Sequence, residues 1–142
     1  MKTVGKGANK AEYKKLSSKS VRYEVSGVSA KTKKAVVPAT VKIGKKTYKV
    51  TSIAPKAFDG KASLSSLIIG KNVKKIGKSA FNDCKKLKTI TVNTKGLKAK
   101  NVKRSLEGSS VNAVKAPATK VDAYKKAFTK ANAGRKASVK AK

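Results

Sequence analysis

The chain has 142 residues, with 37 Lys+Arg against 6 Asp+Glu, no His, a single Cys and a formal net charge of +31. That length fits one domain, and 39 % hydrophobic residues supply a lean but real core. One thiol and no imidazole exclude an intrachain disulfide and a four-ligand zinc site, and no apolar run approaches the ~20 residues of a membrane-spanning helix.

Residues 1–20 are rich in Lys, Ser and Gly with little periodicity, and are expected to form a basic, flexible lead-in. They hold no apolar core of the kind a secretory signal needs. The chain is therefore expected to be either cytosolic or a mature fragment with Met1 added. From residue 21 onward the pattern reads as a single domain. Val21, Tyr23 and Val25 alternate with Arg22 and Glu24, which predicts a half-buried strand. Ala35-Val36-Val37 before Pro38 predicts a second short strand. Val41 and Ile43, a turn over Gly44–Thr47, then Tyr48 and Val50 predict a β-hairpin. Residues 21–50 are thus an N-terminal β part.

Residues 51–117 carry an internal repeat. A shift of 23 places Val50 on Val73, Ile53 on Ile76, Ala57 on Ala80, Phe58 on Phe81 and Leu64 on Leu87. Leu67 and Ile69 fall on Ile90 and Val92. No basic position is matched, as expected of coils that bury a fixed set of inward positions and leave the rest to solvent. A shift of 24 carries Leu87, Ile90 and Val92 onto Val111, Val114 and Ala116, while Val102 and Leu106 slip by a place or two. Val36-Val37 resembles Ile68-Ile69 at a shift of 32, with the hairpin accounting for the difference. Leu64-x-x-Leu67-x-Ile69 and its repeat predict stacked strands, and Gly70 and Asn93 begin the turn away. Ala57-Phe58 and Ala80-Phe81 predict short helical or 3₁₀ turns on the opposite face, where Pro55 is tolerated early. Such coils are stable only against their neighbours.

Residues 118–142 differ. Thr119-x-x-Asp122 predicts a weak capping box, and Val121, Tyr124, Phe128 and Ala131 form one apolar helical stripe ending at Gly134. Ala137–Lys140 predicts a last strand. The helix is expected to cover the open end of the stack as a C-terminal cap.

The repeat resembles the bacterial BspA-like leucine-rich repeat family, whose unit runs roughly L-x-x-I-x-I-P-x-x-V-x-x-I-G-x-x-A-F-x-x-C-x-x. Leu64, Leu67, Ile69, Val73, Ile76, Gly77, Ala80, Phe81 and Cys84 match it, and Val50, Ile53, Ala57 and Phe58 match in the segment before. The stretches VPATVKIGKKTYKVTSIAPKAF and VDAYKKAF also resemble the C-terminal ends of such proteins from Gram-positive bacteria. Gly70 and Asn93 depart from the usual Pro, and Lys61 stands where Cys84 stands one coil later. The resemblance implies an α+β, mainly β fold: a short leucine-rich repeat solenoid of about three to four coils. It also implies a secreted or cell-surface location, a longer natural chain, and adhesion or protein or glycan binding. A structural cap or spacer within a larger surface protein is a further implied role.

The residues leave enzymology little to work with. Cys84 has no histidine base, so it reads as a small buried ladder residue. Asp59 and Asp83 fall in equivalent turns, one residue out of phase. As a pair they would make a glycosidase-like or calcium site, but lysine-rich turns disfavour the proton a general acid must keep. Turn chemistry is the expected role, with no enzyme activity, cofactor or metal. Tyr124 and Phe128 read as core of the cap, and Lys71, Lys74, Lys75, Lys78, Lys85, Lys86 and Lys88 as a solvated outer face.

A second functional reading is a polycationic module for anionic polymers, such as teichoic acid, acidic glycan or nucleic acid. Of the basic residues 34 are Lys and three Arg, spread 17 to 20 between the halves. That usage disfavours sequence-specific base readout, which leans on bidentate Arg. The binding residues and the ligand stay unassigned at this level, and a monomer is expected. Two lysines 10 Å apart in water repel by about 0.4 kcal/mol, and the chain holds many such pairs. Thermal stability should therefore rise with added salt; a melting temperature that falls as NaCl is added would show that surface ion pairs outweigh the repulsion.

Overall fold

The computed structural model describes residues 2–4, 11–26 and 31–142. Its backbone is a stack of coils sharing two sheets. The first sheet contains β4 (Lys34–Val37), β7 (Ser66–Ile69), β9 (Thr89–Val92), β10 (Ala113–Ala116) and β11 (Ser138–Ala141), one strand per coil, in the order β11-β10-β9-β7-β4. Every neighbouring pair is parallel. Because the register is continuous, equal side chains stand in rows. Ala35, Leu67, Ile90, Val114 and Val139 line up across the five strands, and all are buried. Val37, Ile69 and Val92 form a second buried row.

The other sheet contains β1 (Lys2–Val4), β2 (Ala11–Lys15), β3 (Ser20–Ser26), β6 (Lys46–Ile53) and β5 (Thr40–Ile43) in that spatial order, with β8 (Lys75–Ile76) also on β6. The expected hairpin is β5–β6: Val41 faces Tyr48 and Gly44 takes φ 64° in the turn. β6 then joins the coils. It runs parallel to β3, with Val21 on Val50 and Tyr23 on Ile53, and parallel to β8, with Ile53 on Ile76.

Opposite the parallel sheet successive coils make a tight turn, which carries Ala57-Phe58, Ala80-Phe81 and, in the third, Ser105-Leu106. These are turns, not the expected helical or 3₁₀ segments, because each contains two left-handed residues. Lys56, Ser79 and Arg104 take φ 56°, 53° and 57° at one turn position. Gly60, Asp83 and Gly108 take 76°, 58° and 78° at the other. This conformation turns successive amides toward the next coil. Phe58 N–H donates to Ala80 O (2.8 Å), Gly60 to Asn82 O (3.0 Å) and Asp83 to Gly108 O (3.0 Å). The coils approach so closely at Gly77 that a Cβ there would lie 2.4 Å from the Pro55 nitrogen. This contact therefore requires glycine at residue 77, although Ala54 stands at the equivalent position one coil earlier.

Inside the turns runs an aromatic column. Tyr23 stacks on Phe58 (5.1 Å between ring centres, 12° between planes) and Phe58 packs on Phe81 (5.9 Å). Cys84 is fully buried beside them, its Sγ donating to Phe58 O at 3.0 Å. It is the packed ladder residue expected from its repeat position.

Several expectations need correction. The flexible lead-in over 1–20 does not describe Lys2–Val4 and Ala11–Lys15, which are β1 and β2; residues 5–10 lie outside the described residues. Ala11 and Tyr13 are buried, and Tyr13 packs edge-on against Tyr23 (5.5 Å, 88°). Their two-residue period is hidden among lysines, yet burying one tyrosine is worth more than the charge around it costs. The parallel sheet has five rungs where about three to four coils are read from the repeat. Its outer rungs β4 and β11 lie at spacings of 32 and 25 from their neighbours, off the 23-residue period. Residues 21–50 thus already contribute rungs.

At the C-terminal end Pro117 leads into a single 3₁₀ turn, Ala118–Lys120, so Thr119 is inside a turn and no side chain caps α1 (Val121–Ala127). The predicted stripe breaks after Phe128. Thr129 caps a separate α2 (Lys130–Ala133), accepting from Asn132 N–H at 3.1 Å. Ala133 is therefore buried and Ala131 exposed. Gly134 ends α2 with φ 83°, as expected. The helices do not lie over the end of the stack. They form the far side of the last coil, where Arg104 and Leu106 N–H donate to Asn132 O and Ala133 O. The last element is β11, at the edge of the sheet.

Two predictions test this core. Phe58→Ala and Phe81→Ala should each cost about 3–5 kcal/mol, and the double variant should cost less than the sum, since the rings touch. Additive losses in denaturant melts would mean that the rings do not form one column. Burial pushes the Cys84 thiol up to about 11 from its ordinary value near 9. Above pH 9 the unfolded chain loses this proton while the native protein keeps it, so the thiol's contribution to stability is complete below pH 9 and declines toward pH 11. The stability gap between the native sequence and Cys84→Ala should narrow over that range, by at most ~2–3 kcal/mol. A gap independent of pH would show the thiol to be solvated.

Candidate binding surface

Strand alternation sends every second residue of the parallel sheet outward. One outward row reads Val36, Ile68, Thr91, Lys115 and Lys140 across the five strands. The other reads Lys34, Ser66, Thr89, Ala113 and Ser138. Seven of these ten positions are uncharged, in a chain of 142 residues with 37 basic ones. Val36 and Ile68 are directly paired and 37 % exposed each; the only other large hydrophobic exposed among the described residues is Leu16. Two adjacent β-branched side chains therefore meet water side by side, flanked by Thr91, with lysines confined to β10, β11 and one corner of β4. Such a face is apolar on its β4–β7 side, with hydroxyls beside it on β9.

The opposite side of the stack differs in chemistry. Lys75 and Lys78 stand there, and they and Lys71, Lys74, Lys85, Lys86 and Lys88 are all exposed, as expected. A groove of about 560 Å³ lies over β6 and β8, with Leu16, Ile53 and Pro55 along it and Arg22, Lys75, Lys78, Lys100 and Lys103 around it. The Arg22 guanidinium is held by Glu24 through two bonds of 2.6 and 2.9 Å. That hydrogen-bonded carboxylate raises the guanidinium's proton affinity further and occupies two of its five donors. Among the described residues none of the groove's lysines pairs with a carboxylate.

The candidate catalytic residues do not assemble into a site. Asp83 fills the left-handed position that Gly60 and Gly108 fill in neighbouring coils. Asp59 accepts a hydrogen bond from Asn82 Nδ2 at 2.9 Å. Both carboxylates are exposed on the turn surface and belong to turn chemistry. Among the described residues no three side chains of His, Cys, Asp or Glu converge as a metal site would require. Tyr124 and Phe128 are buried, packed edge to face at 6.3 Å. The Tyr124 hydroxyl donates to Thr94 O (2.7 Å) and accepts from Leu97 N–H (3.3 Å), anchoring α1 to the preceding coil. Burial raises its proton affinity, so it serves as a neutral donor.

The sheet face was missed by sequence reasoning, although a signal was present. Val36-Val37 and Ile68-Ile69 are adjacent β-branched pairs, and within a strand one member of each pair must point away from the core. Among the described residues no helix is long and apolar enough to cross a membrane.

Comparison with solved structures places the fold. A leucine rich cell surface protein from Faecalibacterium prausnitzii A2-165 matches with a TM-score of 0.53 and 20 % identity over 85 % of this chain and 28 % of that one. A leucine-rich repeat protein from Bacteroides capillosus ATCC 29799 matches with 0.58 and 19 % identity over 82 % of this chain and 83 % of that one. The leucine-rich repeat protein of T. pallidum matches with 0.52 and 18 % identity over 84 % of this chain and 55 % of that one. The chain thus spans 28 % of the length of the Faecalibacterium protein. No curated protein matches the sequence. The BspA type leucine rich repeat region family matches residues 39–140, in 6 copies, which spans the hairpin, every clear repeat and both C-terminal helices. The chain belongs to the BspA type leucine-rich repeat family.

Proposed function

We propose that this domain is a non-enzymatic, extracellular binding module that engages a protein or glycan through the outward face of its parallel sheet. The observation that carries this reading is the uncharged half of that face. Val36 and Ile68 lie paired in the open, beside Thr89 and Thr91, while lysines crowd most other surfaces. A protein under no demand to keep a patch apolar would be expected to solvate it like the rest, since exposed apolar neighbours favour association. The extracellular assignment draws on likeness to a cell surface protein of F. prausnitzii. Adhesion is the matching biological role, and a rigid ladder suits it, because ordering the surface costs no conformational entropy on binding.

The groove over β6 and β8 favours a second reading, attachment to anionic polymer by charge. Lys75, Lys78, Lys100 and Lys103 line it with no acidic side chain among its lining residues, and Arg22 there is held by Glu24.

The readings separate in one experiment. The chain and its Val36→Lys/Ile68→Lys variant are tested against arrayed glycans and matrix proteins at about 50 and about 200 mM salt. Both positions are exposed, so the variant should fold normally. Binding through the face should persist at the higher salt and vanish in the variant. Binding that collapses with salt, and strengthens in the variant with its two added charges, would replace the first reading with the second.

A further inference from the structure

The groove over β6 and β8 is built from rows that run along the stack. Arg22 pairs with Ser52 and Ser52 with Lys75, so these three stand on successive rungs of β3, β6 and β8. Lys100 repeats Lys75 one coil later. Pro55, Lys78 and Lys103 form a second row, because each immediately precedes the left-handed residue of its turn, Lys56, Ser79 or Arg104. Both rows line the groove. With rungs about 4.8 Å apart, the four levels from Arg22 to Lys100 span about 14 Å. Open hydrocarbon meets these cations at two points. Pro55 is exposed, and Leu16 is 47 % exposed. Leu16 is held at the groove by a bonded turn: its N–H donates to Ser20 O (2.9 Å), and Ser17 Oγ accepts from Lys19 and Ser20 N–H at 3.1 Å each.

We propose that this groove binds an acidic glycan lying along the stack, with its carboxylates or sulfates on the lysine rows and the face of a sugar ring against Leu16 and Pro55. The proposal rests on the reading of the groove as an attachment site for anionic polymer, and it names the polymer. Charge complementarity requires an anion, since five basic side chains and no acidic one line the groove. The rest of the lining selects among anions. No aromatic side chain lines it, so the bases of a nucleic acid would find no stacking platform. Its one guanidinium already gives two donors to Glu24, which curtails bidentate phosphate recognition. Lysines are point charges on flexible stems and accept anions from many directions, as the irregularly placed acidic groups of a glycan require. A sugar ring also has a C–H face that can cover Leu16 and Pro55, which a bare phosphate chain lacks.

The test measures the affinity of the full chain, at about 150 mM salt, for labelled probes of equal formal charge: a heparin oligosaccharide, an oligogalacturonate, polyphosphate and oligo-dT. At least one glycan should bind about tenfold or more tightly than polyphosphate and oligo-dT, and which one does so separates sulfate from carboxylate. Lys75→Ala/Lys100→Ala should weaken that binding at least about tenfold, whereas Lys85→Ala/Lys86→Ala, which removes the same charge outside the groove, should change it less than about twofold. Leu16→Ser keeps the charge and should weaken the glycan while leaving polyphosphate unchanged. All five side chains are exposed, so the variants should fold. Equal affinities for every probe, with equal effects from the two lysine pairs, would overturn the proposal and leave attachment by charge alone standing. Tighter binding of oligo-dT would overturn it in favour of nucleic acid, and binding of no probe would overturn both readings of the groove. Glycan affinity kept in Lys75→Ala/Lys100→Ala but lost in Val36→Lys/Ile68→Lys would move the site to the sheet face.

Discussion

Everything in this molecule depends on coils that hydrogen-bond to one another at a fixed separation. A single coil of about 23 residues holds a few apolar side chains and cannot shield them from both sides. Stacked, the coils share one parallel sheet, one ladder of turn amides and one column of rings. The separation is set by backbone, not by side-chain size: at Gly77 the chain of one coil touches that of the next, and a Cβ there would stand 2.4 Å from the Pro55 nitrogen. Once that distance is fixed, every inward position must hold a side chain that packs against its register partners, apolar though not of one size. Ala80 and Phe81 repeat the packing role of Ala57 and Phe58 for this reason, and the lysines, which bear on none of it, vary freely.

This is also why part of the fold was legible in the sequence. Inward positions recur with the coil, so Leu64 and Leu87, or Ile53 and Ile76, disclose the stack directly, and the pairing of Val37 with Ile69 follows at a spacing of 32. The left-handed turn residues were not legible. Lys56, Ser79 and Arg104 share a conformation but neither size nor burial, because the inter-coil amide bonds and not the side chains impose the φ value. β2 was hidden for a related reason: its evidence is only Ala11 and Tyr13, and its partner Tyr23 lies in another segment. The helix break at Thr129 depends on Asn132, whose side chain bridges Ala99 O and Ala127 O and whose carbonyl receives Arg104 N–H. A local helical period cannot register such a demand from the neighbouring coil.

The candidate surface was legible only in outline. Alternation shows that one of Val36 and Val37 faces outward, but nothing local says that Val36 stands beside Ile68. That juxtaposition is a product of register. Parallel, in-register stacking turns a property of single residues into rows, and a row is what a partner meets. The same mechanism joins Lys75, Lys78, Lys100 and Lys103, drawn from two coils, around one groove. Candidate catalytic groups fail for the complementary reason: Asp59 and Asp83 are near in sequence phase, yet the ladder assigns Asp83 to a backbone turn position.

One alternative explanation of the uncharged face is purely structural. Neighbouring strands are about 4.8 Å apart, so lysines repeated in one row would repel by roughly 0.9 kcal/mol per adjacent pair even in water. A ladder in a chain of +31 charge would then exclude lysine from its rows to survive. The register argues against this. Lys115 and Lys140 are direct neighbours in the same row as Val36, Ile68 and Thr91, and the sheet accepts them. Long, flexible side chains splay their ammonium groups apart and leave them in water, so the geometry tolerates the pair. Repulsion also gives no reason to place Val and Ile at outward positions, where Ser or Thr would relieve charge equally well without exposing hydrocarbon. The apolar pair is thus not a by-product of stacking, and its placement on β4 and β7, at the end of the face away from Lys115 and Lys140, is the feature that the proposed binding role explains.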